Sequence, residues 1–400
     1  MDLALLLAAL LGHGLFWIAV VNRLHGTGVP RGVQSAGTLA CAAAMGAILV
    51  AYGFWYVDHF RGDLARVPWG ELPGSMWPYL GLCWIAAVTG IARWIGRGLS
   101  SRPPEVLRFY RTRVVELAPK RDSRAARDAP RGEERDHHFL VRLPRNEILR
   151  LDLSERAIDV PRLPAALDGL SIVHLSDFHF TGLVGKTYFS EVARHSNQLE
   201  PDLVAITGDL VDRNECIDWV PDTLGRLRAR YGVFYILGNH DVRIDTGRLR
   251  DAMHDAGLID VGGRWLDIKI RGERIILAGN ELPWLFPAAD MTRCPRRTPS
   301  GGPLRIVLSH SPDQLDWARA NDADLLLAGH THGGQIRLPF IGAILTPSLT
   351  GVRYASGLFY APPTIMQVTR GVSGELPVRM NCPPEMARLV LHAPRERSSS

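Results

Sequence analysis

Five short motifs in the sequence place carboxylate, imidazole and amide side chains just after apolar runs. These residues are, in chain order, Asp177, His179, Asp209, Asn239, His240, His310, His330 and His332. Carboxylate, imidazole and amide oxygen ligands suit Mn²⁺, Fe or Zn²⁺, whereas the lack of cysteine in the set argues against a thiolate site. The set would overfill one ion, but two ions could share it. Because Asp209 lies midway in the order of the motifs, we expect its carboxylate to bridge the two ions.

A pair of ions held in this way is suited to the hydrolysis of phosphate esters. Two metals about 3.5–4 Å apart can bind a bridging water, lower its pKa and clamp the oxygens of a phosphoryl group during in-line attack. Each motif alone is a weak signal, because a Gly-Asp pair or a Gly-Asn-His sequence is most often a turn. Five of them in one chain, each after an apolar run, predict a two-metal site that hydrolyses phosphate esters.

Buried strands are the elements that must position these side chains. The apolar runs lie within residues 170–179, 202–210, 232–241, 304–310 and 323–332, and plausible helices lie at 185–199, 217–230, 247–256 and 313–320. Runs that are apolar on both faces and alternate with helices are typical of an α/β fold. Ligands bind at the carboxyl ends of strands in such sheets, so we expect the five motifs to meet at one edge.

The first hundred residues have a different character, with apolar stretches at 3–21, 36–57 and 75–95. A hydrocarbon core about 30 Å thick needs roughly 20 apolar residues in a helix, so these stretches predict about three transmembrane helices rather than buried helices of a soluble core. No basic segment precedes the first stretch, which favours an uncleaved helix over a signal peptide. Arginines concentrate after the third stretch, which predicts a multi-pass inner-membrane protein with its C-terminal half in the cytoplasm.

Residues 97–136 are rich in charge and poor in apolar side chains. Ten Lys/Arg and four Asp/Glu fall within 97–131, a net charge of +6. This composition predicts a basic flexible linker, which could also lie against anionic headgroups. No stacking aromatics interleave with the charge, so nucleic-acid binding is not favoured. The predicted organisation is a transmembrane region at 1–96, this linker, a catalytic domain at 137–392 and a disordered tail at 393–400.

Taken together, the motifs resemble those of the calcineurin-like metallophosphoesterases. The matching elements are D-x-H at 177–179, G-D at 208–209, G-N-H-D at 238–241, the single His310 and G-H-T-H at 329–332. The resemblance covers roughly residues 160–392. The segments "GHTHGGQIRLP" and "RGVSGELPVRMNCPPEMARLVL" look further like the membrane-associated bacterial branch that includes YkuE-type phosphoesterases. The fold implied by the resemblance is a β-sandwich flanked by helices, with a dimetal site at strand ends.

The resemblance also implies a role for each motif residue. One divalent metal would be held by Asp177, His179, Asp209 and His332, and the other by Asp209, Asn239, His310 and His330. His240 matches the family histidine that stabilises the attacked phosphoryl group or protonates the leaving oxygen. We expect Asp241 to orient the His240 imidazole, because a carboxylate partner fixes a histidine tautomer.

These features predict a membrane-anchored phosphoesterase that uses two divalent ions (Mn, Fe or Zn) and attacks phosphorus with a metal-bridging hydroxide. Its substrate would be a phosphodiester or a pyrophosphate, and the membrane anchor makes lipid-linked esters candidates. Two alternatives remain open from the sequence. One is a non-catalytic membrane sensor or scaffold that keeps the fold, and the other is a metal-dependent nuclease, which would bind nucleic acid in a salt-sensitive way.

Overall fold

The computed structural model describes residues 2–59, 69, 72–99, 104–117, 138–295, 297 and 302–394. The chain divides into two compact units. The first comprises residues 1–102 with the short segment 347–351, and the second comprises residues 103–346 and 352–400. Each unit is described separately.

Long apolar helices form the first unit, namely α1 (Asp2–His25), α2 (Arg31–His59) and α3 (Trp77–Leu99). Among the described residues, three helical segments are long and apolar enough to cross a membrane: Leu3–His25, Arg31–Asp58 and Gly74–Gly96. Each predicted apolar stretch therefore lies in a helix. The α1 and α3 helices approach each other closely at Gly12, where an added methyl group would collide with the backbone of Cys83. Small residues at a helix crossing allow this approach.

The described part of the second unit is built from strands and short helices. In chain order these are β1 (Leu107–Glu116), β2 (Arg150–Asp159), β3 (Leu170–Leu175), α4 (Lys186–Asn197), β4 (Leu203–Thr207), β5 (Val233–Ile236), α5 (Thr246–Asp255), β6 (Ile259–Asp260), β7 (Trp265–Ile270), β8 (Glu273–Asn280), β9 (Leu304–Ser309), α6 (Leu315–Ala320), β10 (Leu325–Ala328), β11 (Arg337–Leu338), β12 (Gly342–Ala343), β13 (Gly357–Ala361), β14 (Thr364–Val368) and β15 (Glu385–His392). One sheet has the order β1-β2-β15-β3-β4-β5-β6 and another has β13-β14-β10-β9-β8-β7, while β11 and β12 form a separate hairpin.

The two large sheets pack face to face and share one core. Side chains alternate between the two faces along each strand. In β3, Ile172 lies in the core between the sheets, where Leu277 and Ile306 of the other sheet meet it. The next residue, Val173, points to the opposite face and packs in the core beneath α4, which contributes Tyr188. On the far side of the other sheet, α6 packs in a further core. The predicted β-sandwich flanked by helices is confirmed.

The structure differs from two local expectations. Predicted helix 217–230 is instead a run of 3₁₀ turns at Asn214–Asp222 and Leu224–Arg226, and it contains Pro221, which lacks the amide donor that an α-helix needs. Within the expected linker 97–136, Leu107–Glu116 form β1, which pairs antiparallel with β2. A strand this rich in charge is stable because it lies at a sheet edge. Residues 118–137, which cover most of the rest of the linker, and the end of the tail at 395–400 fall outside the described residues.

Candidate metal centre

All five motifs lie at the carboxyl ends of neighbouring parallel strands. Asp177 and Asp209 each follow a strand end by two residues, in β3 and β4, and Asn239 follows β5 by three. These three strands are adjacent and parallel in one sheet. In the facing sheet, β9 and β10 are adjacent and parallel, and they are followed by His310 and His330. The five motifs therefore meet across the carboxyl ends of two facing sheets rather than at one edge of a single sheet.

The turns that carry these side chains adopt an unusual backbone conformation. Left-handed φ values between 48° and 68° occur at five predicted ligands, namely Asp177, His179, Asp209, His330 and His332. Residues other than glycine adopt this region rarely, and each such residue costs on the order of 1 kcal/mol. A strained turn directly after a strand turns the side chain back toward the sheet edge. Five such residues in three turns around one point indicate that the rest of the structure holds these turns in place.

The first group of donor atoms comes from Asp177, His179, Asp209 and His332, whose ligand atoms all lie within 4.8 Å of one another. The Nε2 atoms of His179 and His332 are 3.2 Å apart. Asp209 Oδ2 lies 3.5 Å from His179 Nε2, and Asp177 Oδ1 lies 3.6 Å from His332 Nε2. These are the four residues that the resemblance assigns to one metal.

The second group shares Asp209 with the first. Asp209 Oδ2 lies 3.2 Å from His310 Nε2, and His330 Nδ1 lies 3.1 Å from the same nitrogen. Asn239 Oδ1 is 3.0 Å from His310 Nε2, so the amide oxygen points into this group as well. The structure thus brings all seven predicted ligands together, in two sets that meet at one carboxylate.

The donor set fits two divalent cations. Asp177 and Asp209 are almost fully buried, and burying two neighbouring carboxylates is costly unless positive charge compensates. Imidazole nitrogens face each other at hydrogen-bonding distance in both groups, where at most one of each pair can donate a proton. In addition, the Nε2 atom of His330 is buried without a hydrogen-bond partner among the described residues. Lone pairs of nitrogen and oxygen that point at one another repel, and a cation placed between them removes this repulsion.

The pKa values of the four histidines reflect their burial and the charged groups beside them. Burial opposes the charging of His179, yet the neighbouring Asp212 raises the pKa of its imidazole to about 9. Burial likewise opposes the charging of His310, while Asp209 raises its pKa to about 9. Burial and the neighbouring imidazoles hold the pKa values of His330 and His332 well below the ordinary value. Because a cation must displace the protons on His179 and His310, binding releases protons and weakens as the pH falls.

The partner of His240 differs from the prediction. Asp212 Oδ1 accepts a short hydrogen bond from His240 Nδ1, and Asp212 Oδ2 accepts one of 2.8 Å from His179 Nδ1. Asp241 is fully buried and accepts backbone hydrogen bonds from Leu210, Val211 and Gly238 at 2.8–3.0 Å. The prediction that Asp241 orients His240 is therefore wrong, because both of its oxygens hold the turns of the neighbouring motifs. Asp212 performs that task for His240 and for His179.

Arg379 is a further residue that sequence reasoning did not identify. Its side chain is fully buried, and its guanidinium donates to the backbone oxygen of His332 at 2.9 Å and lies 3.2 Å from His332 Nδ1. It also donates to the backbone oxygen of Arg370 at 2.8 Å. Arg379 thereby fixes the loop that carries His332. A single buried arginine far along the chain gives no signal in one sequence.

Comparisons with known proteins place residues 170–334 under a family model described as "Calcineurin-like phosphoesterase". "Phosphodiesterase YaeI" of Escherichia coli is 30% identical over 225 residues, which cover 55% of this chain and 81% of that protein. "Uncharacterized metallophosphoesterase YkuE" of Bacillus subtilis is 30% identical over 250 residues, or 60% of this chain and 85% of that protein. "Transmembrane protein with metallophosphoesterase domain" of Danio rerio is 29% identical over 250 residues, or 58% of this chain and 56% of that protein.

Proposed function

The chain belongs to the calcineurin-like phosphoesterase family, and we propose that this metal-dependent phosphoester hydrolase cleaves a phosphodiester at a membrane surface. One observation carries the proposal: two groups of donor atoms share the carboxylate of Asp209, and His240 lies beside them. In this proposal, Asp177, His179, Asp209 and His332 hold one divalent cation. Asp209, Asn239, His310 and His330 hold the other.

When bound, two divalent cations supply the positive charge that lowers the pKa of an attacking water and neutralises the phosphoryl oxygens. His240 is the residue that handles the leaving oxygen. Its Nδ1 is held by Asp212, so Nε2 is the nitrogen that can donate a proton to that oxygen. Asp209 also fixes the backbone of this residue, because Asp209 Oδ1 accepts a hydrogen bond of 2.8 Å from the His240 amide. The same carboxylate would therefore help to hold both cations and also positions the residue that carries the proton donor.

A preference for diesters over monoesters is the first test of this proposal. It is supported by the name of the Escherichia coli relative, a phosphodiesterase. With Mn²⁺ and the full-length chain in detergent, we expect kcat/KM for bis-p-nitrophenyl phosphate to exceed that for p-nitrophenyl phosphate by at least about tenfold. Chelation of the metal should abolish both activities. The proposal fails if the monoester is preferred, and rates equal to the buffer background would instead favour the non-catalytic sensor.

The membrane placement is also a proposal, supported by the three long apolar helices and by the name of the Danio rerio relative. We propose three crossings of the inner membrane with the catalytic domain on the cytoplasmic side, because arginines follow α3 closely. A green fluorescent protein fused after residue 400 should fluoresce, since it folds in the cytoplasm but not after export in an unfolded state. A dark fusion at normal expression, with an active periplasmic reporter at the same position, would place the domain outside.

A further inference from the structure

The hairpin β11–β12 carries an exposed apolar surface directly after the metal loop. It begins five residues beyond His332, and Arg337 and Leu338 pair with Ala343 and Gly342. Five side chains in and next to the hairpin, here called the apolar tip, are about half exposed or more: Ile336, Leu338, Phe340, Ile341 and Leu345. The Phe340 side chain is 98% exposed, which is rare for a residue of this size.

The base of the hairpin is fixed to the metal loop. Arg337 Nε donates to the backbone oxygen of Gly333 at 2.7 Å, and Asn381 Nδ2 donates to the backbone oxygen of Arg337 at 2.9 Å. Gly334, with a φ of +83°, lies so close to the returning strand that an added methyl group would be 2.5 Å from Ala343 Cβ. The apolar tip is therefore held at a set position relative to His332.

The composition of this segment does not suit a loop in water. Arg337 is the one charged residue in 334–352, and its guanidinium is directed to Gly333 and to Ser356 Oγ at 2.5 Å. Loops in water are normally rich in polar turn residues. Exposed apolar surface costs about 25 cal/mol per Å², so five exposed apolar side chains in one ten-residue segment indicate a binding surface.

The chain itself indicates what covers this surface. Two residues beyond Leu345 it enters the unit of the N-terminal helices, because residues 347–351 belong to that unit. There, a methyl group on Gly26 would lie 2.5 Å from the amide nitrogen of Leu349. In the chain, one residue thus separates the apolar tip from a unit with three candidate membrane spans.

We propose that the apolar tip inserts into the lipid bilayer and holds the metal loop at the membrane surface. The substrate class that follows is a phosphodiester with at least one long hydrocarbon chain that stays in the bilayer. This inference rests on the proposed function for its chemistry but not for the insertion itself. Phe340 follows His332 by eight residues, so the tip lies at most about 28 Å along the chain from the metal loop.

Insertion can be measured without any catalysis. Full-length Ile341→Cys is labelled with nitrobenzoxadiazole and reconstituted into vesicles of phosphatidylcholine and phosphatidylglycerol, with or without lipids that carry a nitroxide on the acyl chain. A matched control is Asp255→Cys, whose native side chain is 83% exposed at the end of α5. The wild-type chain treated in the same way gives the background from its own cysteines. We expect the nitroxide lipids to quench the label at 341 and to leave the label at 255 unquenched.

Equal quenching at the two positions would overturn the insertion. Fluorescence transfer between labels at 341 on two chains, without quenching by lipid, would also overturn it and would indicate a contact between copies.

A second arm tests the substrate class. Phosphatidyl-p-nitrophenol embedded in the vesicles and soluble bis-p-nitrophenyl phosphate release the same leaving group. We expect the triple variant Leu338→Ser, Phe340→Ser, Ile341→Ser to lower the ratio of the embedded rate to the soluble rate by at least about tenfold. Ile259→Ser, which removes an exposed apolar side chain from β6, should keep the wild-type ratio.

An unchanged ratio in the triple variant would refute the substrate class. If neither ester is hydrolysed by the wild-type chain, the proposed function fails, while the quenching result still decides the insertion.

Discussion

The substitution Asp209→Asn should lower kcat/KM for bis-p-nitrophenyl phosphate by at least about a thousandfold. Asp209 Oδ2 faces His179 Nε2 at 3.5 Å and His310 Nε2 at 3.2 Å, so the residue supplies charge to both donor groups. Asparagine keeps the shape of the side chain but removes the negative charge that two dications share. A smaller loss of kcat/KM would be expected if only one of the two metals depended on Asp209.

A buried aspartate at the opposite end of the same strand provides the control. Asp202 precedes β4 and accepts hydrogen bonds from Ser171 N at 3.0 Å and from Arg230 at 2.9 Å. Asp202→Asn should reduce stability while kcat/KM stays within a few-fold of the wild type, because this carboxylate lies at the end of β4 away from the site. If Asp202→Asn lost as much activity as Asp209→Asn, the effect of Asp209 would be one of folding, and the bridging role would be contradicted.

His240→Ala should lower kcat by about a hundredfold to ten-thousandfold, the range for loss of a positioned proton donor. Metal content should remain that of the wild type, because His240 is absent from both proposed ligand sets. The measurement pairs steady-state kinetics on bis-p-nitrophenyl phosphate with elemental analysis of the same preparation. His254→Ala is the matched histidine control, since its side chain is 87% exposed on α5. Loss of metal in His240→Ala would show that this imidazole is a ligand instead.

Asp212→Asn separates the observed partner of His240 from the one expected from the sequence. Asp212 contacts His240 and His179, so its substitution should cost about tenfold to a hundredfold in activity, typical of a residue that orients ligands. It should also alter the pH profile, because the carboxylate that raises the pKa of His179 is then lost. Asp241→Asn should act on stability, since its carboxylate accepts three backbone amides. A larger activity loss in Asp241→Asn, with unchanged stability, would reverse this assignment.

The positions of the predicted ligands could be inferred from the sequence because strand ends are encoded locally. An apolar run that ends in a polar motif needs no knowledge of distant contacts. Parallel strands then bring Asp177 and Asp209 to the edge of one sheet, and His310 follows a strand of the facing sheet. Asp212 could have been found by the same reasoning, because it follows Asp209 by three residues in the same loop. The expectation for Asp241 rests on its position next to His240 in the chain. Sequence neighbours in a turn commonly point in different directions.

The remaining differences depend on contacts between distant segments. Residues 107–116 are too charged to indicate a strand, and β1 exists because β2 offers it backbone partners. The buried position of Arg379 follows from the loop of His332, 47 residues earlier in the chain. Residues 336–345 are apolar enough to be taken as a core segment, and their exposure is visible only in the folded chain. Such features need the three-dimensional structure.

The number of metal ions bound per chain tests the central claim most directly. The full-length protein in detergent is loaded with Mn²⁺, passed through a desalting column and measured by elemental mass spectrometry against its protein concentration. We expect about two ions per chain in the wild type and about one in His332→Ala, because that imidazole belongs to a single donor group. One ion per chain in the wild type, with bis-p-nitrophenyl phosphate hydrolysed at the full rate, would contradict the two-metal account.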